Sequence, residues 1–183
     1  MKLGDSKKQP LVLIAFVLIL VMPFPSATLG LNSEMNRETL RGLKGVKVLI
    51  EELSSDVEKA GLARNQIQGI VETKLRKAGI RVLTQEECYK TPGEPYVYVN
   101  INLNPGKAGE GVYGYSIDIG VIQNVALERD PKQKAYAVTW STGGVGLIGR
   151  EFLSRLQESV DDLVGIFIGA FLSVNQETGS KKK

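Results

Sequence analysis

Gly144-Val145-Gly146-Leu147-Ile148-Gly149 is the pattern with the sharpest chemical meaning in this chain, a G-x-G-x-x-G lying between an apolar run and an amphipathic one. Glycine amides at the start of a helix can hold an anion such as phosphate, so Gly144, Gly146 and Gly149 are candidate anion-binding residues. The dinucleotide-binding form of this motif also requires a following strand that carries an acidic residue about twenty positions on. Here one helical stretch and a polar tail follow instead, and the reading the sequence favours is a flexible strand-to-helix turn. Alternation marks a second set. In Tyr96–Leu103 (YVYVNINL), Tyr96, Tyr98, Asn100 and Asn102 fall on one face of a strand and Val97, Val99, Ile101 and Leu103 on the other. Exposed tyrosines beside amides suit a partner-binding surface, with plain cross-strand packing as the alternative.

The remaining reactive groups are sparse. Glu51-Glu52 and Asp161-Asp162 are adjacent pairs; neighbours diverge on a strand or a helix, so neither forms an acid/base dyad, and solvated surface charge is expected. The single cysteine, Cys88, excludes an internal disulfide, and with no histidine in the chain it has no imidazole to activate it. The commonest general base and the commonest zinc ligand are thus both missing. No catalytic residue, metal site or cofactor is expected. Gly165 and Gly169 form a G-x-x-x-G in an apolar stretch too short to span a bilayer; they are expected to let a helix lie close on a sheet.

Charge narrows the partners. The net charge is +3, but with residues 1–30 and the last three lysines set aside, 17 basic and 19 acidic residues remain. A nearly neutral body lacks the dense basic surface that nucleic acid requires. The N-terminus explains part of the excess. Lys2, Lys7 and Lys8 precede the apolar run Leu11–Met22, and Pro23, Pro25 and the small residues Ser26–Gly30 follow. This is the order of a secretory signal. Residues 1–30 therefore read as a cleavable signal peptide cut after Gly30, delivering the chain to the periplasm or the exterior, with an uncleaved N-terminal anchor as the alternative. The apolar run is short for a spanning helix, so no stable membrane span is expected after signal removal. The lack of a cysteine near the cut excludes lipoprotein anchoring.

Periodicity organises the rest. Residues 31–44 read as a linker, 45–174 as one α/β domain, and 175–183 as a polar basic tail. Val46–Leu53 predicts a strand, and Leu62–Ala78 a helix with Ile67, Val71, Leu75 and Ala78 inward and Gly79 as its stop. Ile80–Leu83 predicts a short strand parallel to the first. Thr84 and Glu87 fit a capping box. Strands follow at Tyr96–Leu103, at Val112–Glu128 with a bend near Gly120, and, after a turn at Asp130-Pro131, at Ala135–Thr142, where Tyr136, Val138 and Trp140 share a face. The last helix, Arg150–Val174, carries the stripe Phe152, Leu156, Val160, Leu163, Phe167 and Phe171. The order β-α-β-β-β-β-α gives an α+β fold, a two-layer sandwich of a small mixed sheet with two helices on one face.

The helix-strand joint Leu-Arg-Lys-Ala-Gly-Ile-Arg-Val-Leu at residues 75–83 resembles the opening of small periplasmic domains. The TolB N-terminal domain and the curli-assembly and penicillin-binding-protein-activator lipoproteins share this element order, which spans residues 45–172 here. The Tyr-rich hairpin and Trp140–Gly143 (WSTG) are similar to an uncharacterised family of exported bacterial proteins. Taken with the open strand face, the reading is a non-enzymatic periplasmic domain that binds a protein partner in the cell envelope through Tyr96, Tyr98, Asn100 and Asn102, extended by strand addition at an exposed edge. A carrier of a small or lipid-like ligand between helices and sheet stands second. An enzyme using the Gly-rich turn stands third. Oligomeric state is left open.

Overall fold

The computed structural model describes residues 30–59, 61–106 and 111–175, so the expected signal peptide apart from Gly30 lies outside the described residues, as does the expected tail apart from Asn175, which closes the last helix. In chain order the elements are α1 (Glu34–Glu38), β1 (Lys47–Ile50), α2 (Ser55–Lys59), α3 (Arg64–Lys77), α4 (Gln85–Lys90), β2 (Tyr96–Pro105), β3 (Val112–Leu127), β4 (Asp130–Gly149), a 3-10 turn (Arg150–Arg155) and α5 (Leu156–Asn175). The sheet runs β1-β2-β3-β4, parallel between β1 and β2 and antiparallel thereafter. A mixed sheet with α3 and α5 on one face is the expected α+β sandwich.

One core explains the layers. Val97, Val99, Ile117, Ile119, Val121 and Trp140 from the sheet meet Ile67, Val71 and Leu75 from α3 and Leu156, Val160, Val164 and Phe167 from α5, each fully buried or nearly so. Strand alternation supplies the first group and the 3.6-residue helical period the others. Trp140 stacks at a tilt on Phe167, ring centroids 5.4 Å apart, and Phe167 meets Phe171 edge-on at 6.0 Å. Gly79, at φ +79°, ends α3 in the left-handed conformation, and Thr84 and Glu87 form the expected reciprocal cap of α4.

Several elements differ from expectation. The strand at Ile80–Leu83 shrinks to one parallel bridge, Val46 with Val82, because the Thr84 cap turns the chain away at once. The β3–β4 turn falls at Glu128-Arg129, and Asp130-Pro131 is already strand. A register shift sets Val121 opposite Trp140 but Ile122 opposite Val138, leaving Thr139 as the extra residue of a bulge. An added residue inverts the alternation. Trp140 therefore points into the core, whereas Tyr136 and Val138 point to the opposite face, 54% and 46% exposed. Phe152 leaves the predicted stripe for the surface, where Arg155 lies 5.0 Å above its ring; Leu153 takes its place in the core.

Most of residues 31–44, read as a linker, forms a strap along β4. Leu31 and Ser141 exchange two hydrogen bonds, and Ser33 caps α1. Asn32 Oδ1 accepts the Trp140 indole N–H at 3.0 Å, and Leu40 is fully buried. At the far end, Asn175 accepts from the Gly42 amide at 2.7 Å and donates to the Leu40 carbonyl at 2.9 Å.

Candidate functional site

The sheet has two unlike faces. Helices cover one; none of the described elements lies across the other, whose centre is β2. Register assembles that face in rows: Leu49, Tyr98 and Gly120; Asn100 and Asp118; Asn102 and Ser116. The structure thus places Tyr96, Tyr98, Asn100 and Asn102 together on the uncovered side, as the alternation requires, with their odd-numbered neighbours buried.

Two carboxylates order the tyrosines. Glu51 follows β1 on the same face, and the Tyr98 hydroxyl donates to its Oε2. Burial first, and this hydrogen bond second, push the Tyr98 phenol up to about 12 from its ordinary 10.0. Tyr136 donates to Glu94 Oε2 at 2.5 Å, and that bond is the main reason its phenol also rises to about 12. Glu94 is held in a left-handed conformation, φ 43°, after Gly93 at φ 81°. Tyr96 packs against Tyr136 at 6.2 Å between ring centroids, and burial raises its phenol as well. Lys47, Gln85, Tyr89, Glu94, Tyr96 and Tyr136 line a hollow of 230 Å³ at this end of the face, where Lys47 Nζ donates to Gln85 Oε1. Asn100 and Asn102 hydrogen-bond to each other at 3.2 Å, and Asn102 also reaches Ser116.

The glycine motif sits elsewhere than expected. Gly144, Gly146 and Gly149 are not a turn but β-ladder residues, opposite Ile117, Tyr115 and Val112. The strand continues because Gly146 gives the Tyr115 ring room; a Cβ there would lie 2.8 Å from it. Between these glycines and α5 stands the 3-10 turn, so the premise of amides gathered at a helix N-terminus is gone. The G-x-x-x-G pair also behaves differently: a Cβ at Gly165 would first meet Lys74 Nζ of α3, and one at Gly169 would meet nothing within 4 Å. Neither glycine serves a close approach to the sheet.

Among the other reactive groups, Cys88 is buried, its thiol near the Pro95 carbonyl at 3.6 Å, and burial pushes the thiol up. Asp161 pairs with Lys74, away from Glu51. Among the described residues no group of three or more His, Cys, Asp or Glu side chains could hold a metal, and no helix is long and apolar enough to cross a membrane.

Sequence reasoning missed Tyr136, Glu94 and the exposed pair Val145 and Leu147, 64% and 79% exposed on the same face. The alternation Gly144-x-Gly146-x held the clue to the last two, since it puts glycine on one face and Val145 and Leu147 on the other. Tyr136 was hidden by the bulge. Neither a family model nor a curated protein matches this chain.

Proposed function

We propose that this chain is an exported, non-enzymatic domain that binds a protein partner in the cell envelope through the uncovered face of its sheet. One observation carries the reading: the uncovered face presents Tyr96, Tyr98, Tyr136 and Val138 together at one end and Val145 with Leu147 at the other, and Tyr136, Val145 and Leu147 are each more than half exposed. Ordinary surfaces scatter such side chains singly, and grouping them marks recognition. The carboxylates of Glu51 and Glu94 fix two of the phenols, which lowers the ordering cost of binding. The apolar run after Lys7 and Lys8 supports export.

A photoreactive residue at position 98, introduced into the chain in intact cells, tests the reading. A discrete adduct with one envelope protein is the expected result; self-contacts or diffuse background would overturn it. N-terminal sequencing that begins at Leu31 would support export with cleavage after Gly30.

A further inference from the structure

We propose that the Gly144–Gly149 end of β4 is a docking edge for an extended partner segment whose apolar side chains are flanked by lysine or arginine. The proposal rests on the reading of the chain as a protein-binding domain and names the chemistry of what it binds. The Ser141 amide donates to Leu31, so the backbone groups of Ser141 point away from β3. Antiparallel alternation then turns those of Val145 and Leu147 outward too. The strap accepts from the Ser141 amide; among the described residues nothing pairs with the outward groups of Val145 or Leu147. Edges are normally guarded by charge or proline. The first half of β4 has Asp130, Pro131, Lys132 and Lys134, whereas Gly143–Gly149 has neither.

Beneath this edge a cleft of 270 Å³ opens between β4 and α5, walled by Tyr115, Ile117, Leu163 and Ile166. Gly144 makes the room: a Cβ built there would meet nothing within 4 Å. An added strand would drop alternate side chains into this cleft and lay the others beside Val145 and Leu147. Carboxylates gather around it. Asp162 lines the cleft, Asp118 Oδ1 lies 2.6 Å from where a Cβ of Gly143 would stand, and Glu151 lies 3.0 Å from that of Gly149. Arg150, the nearby cation, is turned to the Tyr113 hydroxyl at 3.2 Å. A second copy fits this edge poorly. Antiparallel self-pairing about Gly146 sets position 143 against position 149, and so brings Asp118 of each copy toward Glu151 of the other. Basic flanks on a different chain meet the same carboxylates favourably.

The test uses the full chain and a short synthetic peptide of alternating valine and threonine with lysine at both ends, beside a twin with glutamate at both ends. The lysine peptide is expected to bind in fluorescence anisotropy and to slow amide exchange at Val145 and Leu147. The glutamate twin and the Gly144→Leu chain, whose new side chain fills the cleft, are each expected to bind about tenfold more weakly or worse. Asp118→Asn with Asp162→Asn, which leaves the backbone untouched, is expected to narrow the preference for lysine even if Gly144→Leu fails to fold. Equal affinity for the two peptides, no binding of the lysine peptide, protection elsewhere on the sheet, or a dimer that protects these same amides would each overturn the proposal. Adducts from position 98 without peptide binding would remove the docking edge and leave the protein-binding reading standing; the reverse pattern would do the opposite.

Discussion

The two faces of one sheet are built from the same strands and differ in almost everything else. On the inner face Val97, Val99, Ile119, Val121 and Trp140 reach zero exposure, and the helices lock them in place. On the outer face glycine, serine and asparagine alternate with tyrosine and valine, and Leu147 stands 79% exposed. Stability is thus concentrated on one side, which frees the other from packing constraints. The contrast teaches that apolar burial is concentrated on one face of the sheet and solvent-exposed apolar groups on the other.

Substitutions can break or sharpen that contrast. Trp140→Ala removes the largest fully buried side chain and should cost about 3–5 kcal/mol in denaturant unfolding; a loss near zero would erase the distinction between faces. Asn32→Ala strips the partner from the buried indole N–H and should cost about 1–3 kcal/mol by the same measurement. On the outer face, near-ultraviolet titration should find Tyr98 ionising near 12, and Glu51→Gln should lower it only in part, because burial, the larger cause, remains. Because the folded value is raised, the stability this phenol contributes is complete below pH 10.0 and is lost as pH climbs toward about 12. Leu147→Thr is the smallest change: folding stability should stay within about 0.5 kcal/mol.

How much of this was legible in the sequence follows the same division. The inner face could be read from period alone: Val97 to Leu103 on β2, and Ile67, Val71 and Leu75 on α3, fall where alternation and helical spacing put them. Tyr96, Tyr98, Asn100 and Asn102 were legible as the complement of that pattern. What escaped depended on contacts between distant residues. The Thr139 bulge has no local signature, so Tyr136 and Val138 were expected to share a face with Trp140 and do not. The strap was opaque because Leu40 is its one fully buried apolar side chain and one residue shows no period; tertiary partners at Ser141, Trp140 and Asn175 define it. The glycine run misled because glycines punctuate turns more often than they continue strands.

The strap has a consequence for the order in which the molecule can be completed. Asn175 bonds to Leu40 across 135 residues of sequence. A chain made from its N-terminus holds Leu40 early and gains its partner only after the whole sheet has emerged. Among the described residues the clasp between the strap and α5 is therefore the last native contact open to the growing polypeptide, and until it closes, the strap cannot be held at both ends.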